Sequence, residues 1–440
     1  MSKKHVVFIG FMLFSLFFGA GNLIFPPIVG LESGSQFTPA IIGFLITGVL
    51  LPFFAVLAVA LTDGGIVAMG SRVHKVFGII FAILVYLSIG ALFGIPRAAN
   101  VAYELGFQQV LHANGQVALL VFSIVFFGIT YYITLNPSKI VDRVGQILTP
   151  ILLITLAILF VRAFMILNNP PLQATEKYTA SPFTAGFLEG YFTMDAIAAL
   201  AFGIVVINAL KGKGATTNKQ LIKGTISAGV VAAAGLAIVY VSLGWIGVVI
   251  PKTETFENGA QILTLASHLL FASTGSLLFG VIVILACLTT CVGLISACAS
   301  FFHEIYPKLG YKSYATVFTL LGFSVATFGL DAILSFAVPL LVFIYPIAIV
   351  LIILSIAQRF LPESKTMFRL SVLLTTIYSV YEILSSLGLK MEMFTKLIGF
   401  VPFFENGLGW FVPAVVAAIV GFVVDRASGP TSEATLTHEH

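Results

Sequence analysis

Charge is what this chain has least of. Only 9% of its 440 residues are Asp, Glu, Lys or Arg, where a soluble domain carries roughly a quarter. A chain that is 59% hydrophobic and this poor in charge does not fold as a soluble globule. The net charge of +4 is too small to suggest a nucleic-acid partner. Cysteine is nearly absent as well. Cys287, Cys291 and Cys298 share one apolar stretch with no His or Asp interleaved, which argues against both a disulfide framework and a metal centre. They read as small buried residues. Histidine is sparse, and His74, His112 and His303 fall in loops, so no His/Asp cluster suggests an enzyme. A Gly-Lys-Ser/Thr phosphate loop is missing. Long polar segments are missing too, so no soluble domain, resident cofactor or obligate protein partner is expected. Ser2-Lys3-Lys4-His5 precedes an apolar run too long for a signal peptide, so the run is read as an uncleaved first helix.

What the chain does have is apolar runs long enough to span a bilayer, which takes about 20 residues. Twelve are read, at about 6–31, 38–61, 76–100, 117–135, 145–167, 183–210, 222–250, 275–300, 314–330, 332–358, 367–387 and 408–425. The fold class is therefore an all-α polytopic membrane protein with twelve transmembrane helices. Residues 1–425 form one membrane domain and 426–440 a polar tail. With both termini inside, sixteen Lys and Arg fall on inner segments and five on outer ones, as the positive-inside rule requires. The expected location is a cytoplasmic membrane, with its lipids as the surroundings. Two outer segments are longer than the rest. One is 168–182. The other is 251–274, whose apolar core at 260–266 is either a short helix or a packed loop.

Two of the runs are interrupted. In the first, Gly19, Gly21 and Asn22 stand inside apolar sequence, with Pro26 and Pro27 just beyond. In the sixth, Glu189, Gly190, Thr193 and Asp195 lie where mid-membrane is expected, and ionisable groups there are costly and usually functional. An opened helix frees backbone N–H and C=O groups that an anionic group and a cation can satisfy. The break in the sixth run is placed around 188–193. The interruptions lie five spans apart. This suggests two inverted five-helix repeats, about 6–167 and 183–358, with discontinuous helices 1 and 6. Runs 367–387 and 408–425 are then accessory. Glu189 reads as an ion ligand, a proton carrier or a latch on freed N–H groups. Asp195 reads as the cap of the second half-helix. Arg97 either pairs with a carboxylate or reaches the outer interface.

Gly19-Ala20-Gly21-Asn22-Leu23-Ile24-Phe25-Pro26-Pro27, Glu189-Gly190-Tyr191, Thr193-Met194-Asp195-Ala196 and the eighth-run Cys287-Leu288-Thr289-Thr290-Cys291 resemble the bacterial branched-chain amino acid:cation symporter family. The resemblance extends over essentially the whole chain. It implies import of leucine, isoleucine and valine, generally with sodium, on a five-plus-five inverted-repeat fold. It implies that Ala20 and Gly21 offer N–H groups to the substrate carboxylate. Carbonyls around Leu188, Gly190 and Tyr191 would receive the ammonium. Asn22 would supply an oxygen to an ion beside the substrate. A sodium ion would sit between the carbonyls of Ser15 and Phe18 and the hydroxyls of Thr289 and Thr290. Tyr86, Ile89, Phe93, Phe187, Tyr191 and Phe192 are candidates for the apolar pocket. Proton coupling through Glu189 or Asp195, a channel, and a transporter-like nutrient sensor are the competing readings.

Overall fold

The computed structural model describes residues 3–111, 115–136, 141–251, 256, 259–271, 275–389, 391–404 and 407–428. Among them every regular element is helical. In chain order these are α1 (Lys3–Phe17), α2 (Ala20–Ser33), α3 (Phe37–Leu45), α4 (Leu51–Leu61), α5 (Gly65–Ser71), α6 (Lys75–Ile89), α7 (Gly94–Val101), α8 (Gln108–Leu111), α9 (Gln116–Thr134) and α10 (Thr149–Ile166). Then come α11 (Glu176–Ala180), α12 (Pro182–Phe192), α13 (Asp195–Gly212), α14 (Asn218–Val249), α15 (Gly259–Phe271), α16 (Gly275–Ile305) and α17 (Tyr311–Ala326). The last are α18 (Leu330–Ala357), α19 (Lys365–Ser386), α20 (Glu392–Ile398) and α21 (Phe411–Ala427).

Nine stretches among the described residues are helical, long and apolar enough to cross a membrane. The first, ninth and twelfth expected spans fall short for physical reasons. The first is cut by a break after Phe17, while α17 and α21 have only 16 and 17 residues. The apolar core of the second outer segment is a helix, α15. The polar tail beyond residue 428 lies outside the described residues.

Two compact units divide the chain. The larger comprises Met1–Ala60 with Tyr86–Leu334. Its centre is α16, which packs against α1, α7, α13, α15 and α17. Cys287, Cys291 and Cys298 are buried there as free thiols. Cys291 Sγ contacts the Ile95 carbonyl and Cys298 Sγ the Tyr86 carbonyl, which agrees with a packing role.

Two seams in this unit are lined by glycine. Along α2 and α14, a Cβ added to Gly30 would lie 1.8 Å from the Gly244 carbonyl, and one on Gly247 would lie 2.0 Å from the Pro27 carbonyl. Along α3 and α12, a Cβ on Gly186 would lie 1.9 Å from the Ala40 carbonyl, and one on Gly43 would lie 2.1 Å from the Phe183 carbonyl. Backbones this close exclude any larger residue, and such contacts suit membrane helices, where small side chains allow dispersion to act at short range.

The smaller unit comprises Leu61–Val85 with Ser335–His440. Its main contact pairs α19 with α21. Asp425 near the end of α21 accepts hydrogen bonds from Ser364 Oγ at 2.6 Å, from the Thr366 N–H at 2.9 Å and from the Thr366 hydroxyl. Those groups open α19, so the carboxylate satisfies donors that a helix start leaves without partners.

Candidate substrate and ion site

Three helix interruptions converge on one cavity in the larger unit. The first lies at Phe18 and Gly19, between α1 and α2. The chain is extended at Gly19, with φ −124° and ψ −158°. The Gly19 N–H donates to Asn22 Oδ1 at 3.1 Å. A side chain thus replaces one of the backbone bonds lost at the start of α2. The N–H groups of a first helical turn have no partner within their own helix. Ala20, Gly21 and Asn22 all line the cavity.

The second interruption lies at Thr193 and Met194, between α12 and α13. Met194 is left-handed, with φ 66°. The Thr193 hydroxyl donates to the Gly190 carbonyl at 2.9 Å and accepts from the Asp195 N–H at 3.4 Å. It bridges the two half-helices. The two breaks face each other, because a Cβ added to Gly21 would lie 3.3 Å from the Thr193 carbonyl oxygen.

The third interruption was not expected. The third span opens at Gly90–Phe93, between α6 and α7. The Leu92 N–H reaches back to the Leu87 carbonyl, and the Ile95 N–H to the Gly90 carbonyl. Gly90, Gly94 and Pro96 were the sequence signal for it. The turn brings Ile89, Phe93, Gly94, Arg97 and Ala98 into the cavity wall.

A buried polar cluster ties these parts together. Asp195 opens α13, but the N-cap position itself falls to Met194. Asn22 Nδ2 donates to Asp195 Oδ2 at 2.6 Å and the Tyr240 hydroxyl donates to the same oxygen at 2.7 Å. Asn22 Nδ2 also contacts the Tyr240 hydroxyl. Asn22, Asp195 and Tyr240 are all buried. The carboxylate therefore joins the first break, the second break and α14. Asn22, expected as an ion ligand, here has its oxygen on Gly19 and its nitrogen on Asp195. Tyr240 was missed, because a single tyrosine in the uninterrupted α14 carries no local signal.

Paired threonines of α16 cap the end of α1. The last four carbonyls of a helix lack intrahelical partners. Thr289 Oγ1 donates to the Ser15 carbonyl at 2.9 Å, and Thr290 Oγ1 to the Leu16 carbonyl at 3.1 Å. Thr289 Oγ1 also lies 3.0 Å from the carbonyls of Leu285 and Ala286. One hydroxyl proton therefore faces three carbonyl oxygens, a proton-poor group of neutral acceptors. The Ser15 hydroxyl is buried and has no hydrogen-bond partner among the described residues. Ser15, Thr289 and Thr290 are brought together as expected. Phe18 follows directly, its N–H bonded to the Phe14 carbonyl and its ring stacked on Phe14.

Other expected residues lie elsewhere. Leu188, Glu189, Gly190 and Tyr191 are inside α12, because the break falls after Phe192 rather than around 188–193. Their carbonyls do not line the cavity. The Gly190 carbonyl is occupied by the Thr193 hydroxyl. Glu189 pairs with Lys177 in the segment before α12. Tyr86 is fully buried, stacked on Phe301 with ring centroids 3.9 Å apart, and lies outside the cavity lining. Phe187, Tyr191 and Phe192 are likewise outside it, whereas Ile89 and Phe93 form part of it. Arg97, left open between the outer interface and a carboxylate, lines the cavity.

A solved structure of Mhp1, a nucleobase-cation-symport-1 family transporter in a closed conformation with bromovinylhydantoin bound, superposes with a TM-score of 0.55 over 96% of this chain and 92% of that one, at 13% sequence identity. At that identity the likeness is one of fold. Residues 2–428 match the family described as branched-chain amino acid transport protein. The branched-chain amino acid permease BraB of Bacillus subtilis is 42% identical over 433 residues, covering 98% of this chain and 97% of the permease. The chain belongs to this family of transporters and is not an enzyme.

Proposed function

We propose that the protein is a secondary active symporter that imports leucine, isoleucine and valine by alternating access, with sodium as the coupling ion. The observation that carries this reading is the meeting of two opened helices at one cavity. The start of α2 presents N–H groups that have no partner within their own helix and the positive end of a helix dipole, which suit a carboxylate. The Thr193 carbonyl, which faces Gly21 at the second break, suits an ammonium. Leu16, Phe17, Ile89, Phe93 and Leu294 supply an apolar wall. Such a wall separates substrates by one methylene with only about 1–3 kcal/mol, so overlap among the three substrates follows.

Sodium is assigned to the neutral oxygens around Ser15 and Thr289, with Thr290 and Phe18 beside them. A cation there would coordinate the carbonyl oxygens that now face one hydroxyl proton, with the hydroxyl kept intact and turned to offer its oxygen, and these oxygens bring no net charge into the membrane. Twelve spans, the five-plus-five inverted repeat, a cytoplasmic-membrane location and both termini inside complete the proposal. Nine long spans, a split first helix and the short α17 and α21 fit that count. Proton coupling is the second reading, favoured by one observation: Asp195 is a buried carboxylate at the junction of both breaks. Glu189 is less suited to it because it pairs with Lys177.

The test is labelled-leucine uptake into proteoliposomes under a sodium gradient, against a potassium-balanced control at fixed pH and membrane potential. Valine, isoleucine, lysine and glutamate serve as competitors. Sodium-dependent uptake blocked only by the branched apolar amino acids is expected. Uptake that follows a pH gradient and ignores sodium would move the coupling role to Asp195.

A further inference from the structure

Among the described residues Arg97 has no carboxylate within 4.0 Å, since the one ion pair at that range joins Lys177 to Glu189. Asp195, whose charge acts on it from a greater distance, directs Oδ2 to Asn22 and Tyr240. The contacts Arg97 does make are soft. Its guanidinium lies over the Phe93 ring, 4.7 Å from the centroid, and Nη1 is 3.9 Å from Met194 Sδ. Nη2 is 3.3 Å from the point where a Cβ on Gly21 would be. A guanidinium has five donors and prefers a planar two-oxygen acceptor. Here at least one arm of its fork reaches the start of α2, inside the cavity it lines.

Leaving a cation without an anion in a membrane span is costly. A cation next to a helix N-terminus also adds to the local positive potential instead of offsetting it. Both costs are relieved by a bound carboxylate. The cavity is about 40 Å³, room for a few waters, since one water needs roughly 10–15 Å³. We propose that Arg97 receives the carboxylate of the transported amino acid, together with the N–H groups of Ala20 and Gly21, and thereby makes a free carboxylate a requirement for binding. Phe93 and the third-span turn hold the guanidinium in place. The inference rests on the amino acid transport reading above.

The test compares leucine with leucinol, which keeps the ammonium and the side chain but lacks the carboxylate. Binding of each to purified protein is measured for wild type, Arg97→Gln and Arg97→Lys, with chromatographic homogeneity and thermal unfolding as folding controls. Wild type is expected to prefer leucine strongly. In Arg97→Gln the leucine-to-leucinol preference should fall by roughly tenfold or more, the range for a lost charge-assisted hydrogen bond, with leucinol affinity changed by less than about threefold. Arg97→Lys keeps the charge but loses the fork, and should show a smaller drop in preference. Should Arg97→Gln fail to fold, Arg97→Lys decides by the same ratio. An unchanged preference in the folded variants, or equal weakening of both ligands, overturns the proposal. Wild-type protein that binds neither ligand would instead count against the amino acid reading, so the two failures are distinguishable.

Discussion

The breaks in the first and sixth spans do the same job by opposite means. At Gly19 the backbone is extended, a conformation open to any residue. What glycine provides there is space, since an added Cβ would lie 2.7 Å from Thr290 Oγ1. At Met194 the backbone is left-handed, at φ 66°, a region that favours glycine. Yet the residue is methionine, and its sulfur sits beside Arg97. One break is limited by its surroundings and the other by its own backbone. A glycine in a membrane helix therefore marks a crowded neighbour as readily as a flexible joint, and a joint can form without one.

The largest expected effect removes what the two breaks share. Asp195→Ala takes the acceptor from both Asn22 and Tyr240. Each orphaned buried donor costs roughly 1–3 kcal/mol, so leucine uptake should fall by about 100-fold or more, measured as initial rate per folded protein. Near-normal uptake would mean that the breaks are held apart from this carboxylate. Gly19→Ala comes next. The added methyl pushes on Thr290, and the apparent sodium affinity should weaken by roughly tenfold, the cost of overpacking by 1–3 kcal/mol. Retained sodium dependence with normal affinity would show that the neighbour yields freely. Thr289→Ala should raise the sodium concentration for half-maximal uptake by roughly five- to tenfold, from the loss of one hydrogen-bonding group, while Thr289→Ser retains it. Met194→Gly should do least. Relief of the left-handed residue, roughly 1–2 kcal/mol, is offset by the greater freedom of glycine in the unfolded chain, roughly 0.5–1 kcal/mol. The unfolding temperature should therefore shift by only a few degrees upward. A large gain would mean that the strain at 194 is greater than its φ suggests.

Some of this site could be read from residue order, and the reasons for the rest are physical. The first break was legible because Gly19, Gly21 and Asn22 interrupt an apolar run and cannot be explained by lipid contact. Asp195 was legible as the first residue of a half-helix, since a carboxylate suits a helix start. Its true partners were not, because Asn22 and Tyr240 lie 173 and 45 residues away along the chain. The sixth-span break was placed too early, since Glu189 and Gly190 drew attention to a stretch that remains helical. Glu189 serves the outer segment, and Gly190 serves a close contact with α3 and the π-helical turn that follows it, where an added Cβ would lie 2.1 Å from Thr47 Oγ1. The third-span turn had Gly90, Gly94 and Pro96 to announce it. It was overlooked because the residues between them are apolar and continue the hydrophobic run. Arg97 could not be assigned, because snorkelling to an interface and facing a cavity look alike without the fold.

The glycine-lined seams beside α2 and α12 bear on motion. Helices whose side chains interlock must lift over one another's ridges before they can turn. Where Gly30 meets Gly244, and Gly186 meets Ala40, the backbones meet nearly bare. α2 and α12 thus rest on smooth tracks, held close by dispersion but with few ridges to cross in tilting.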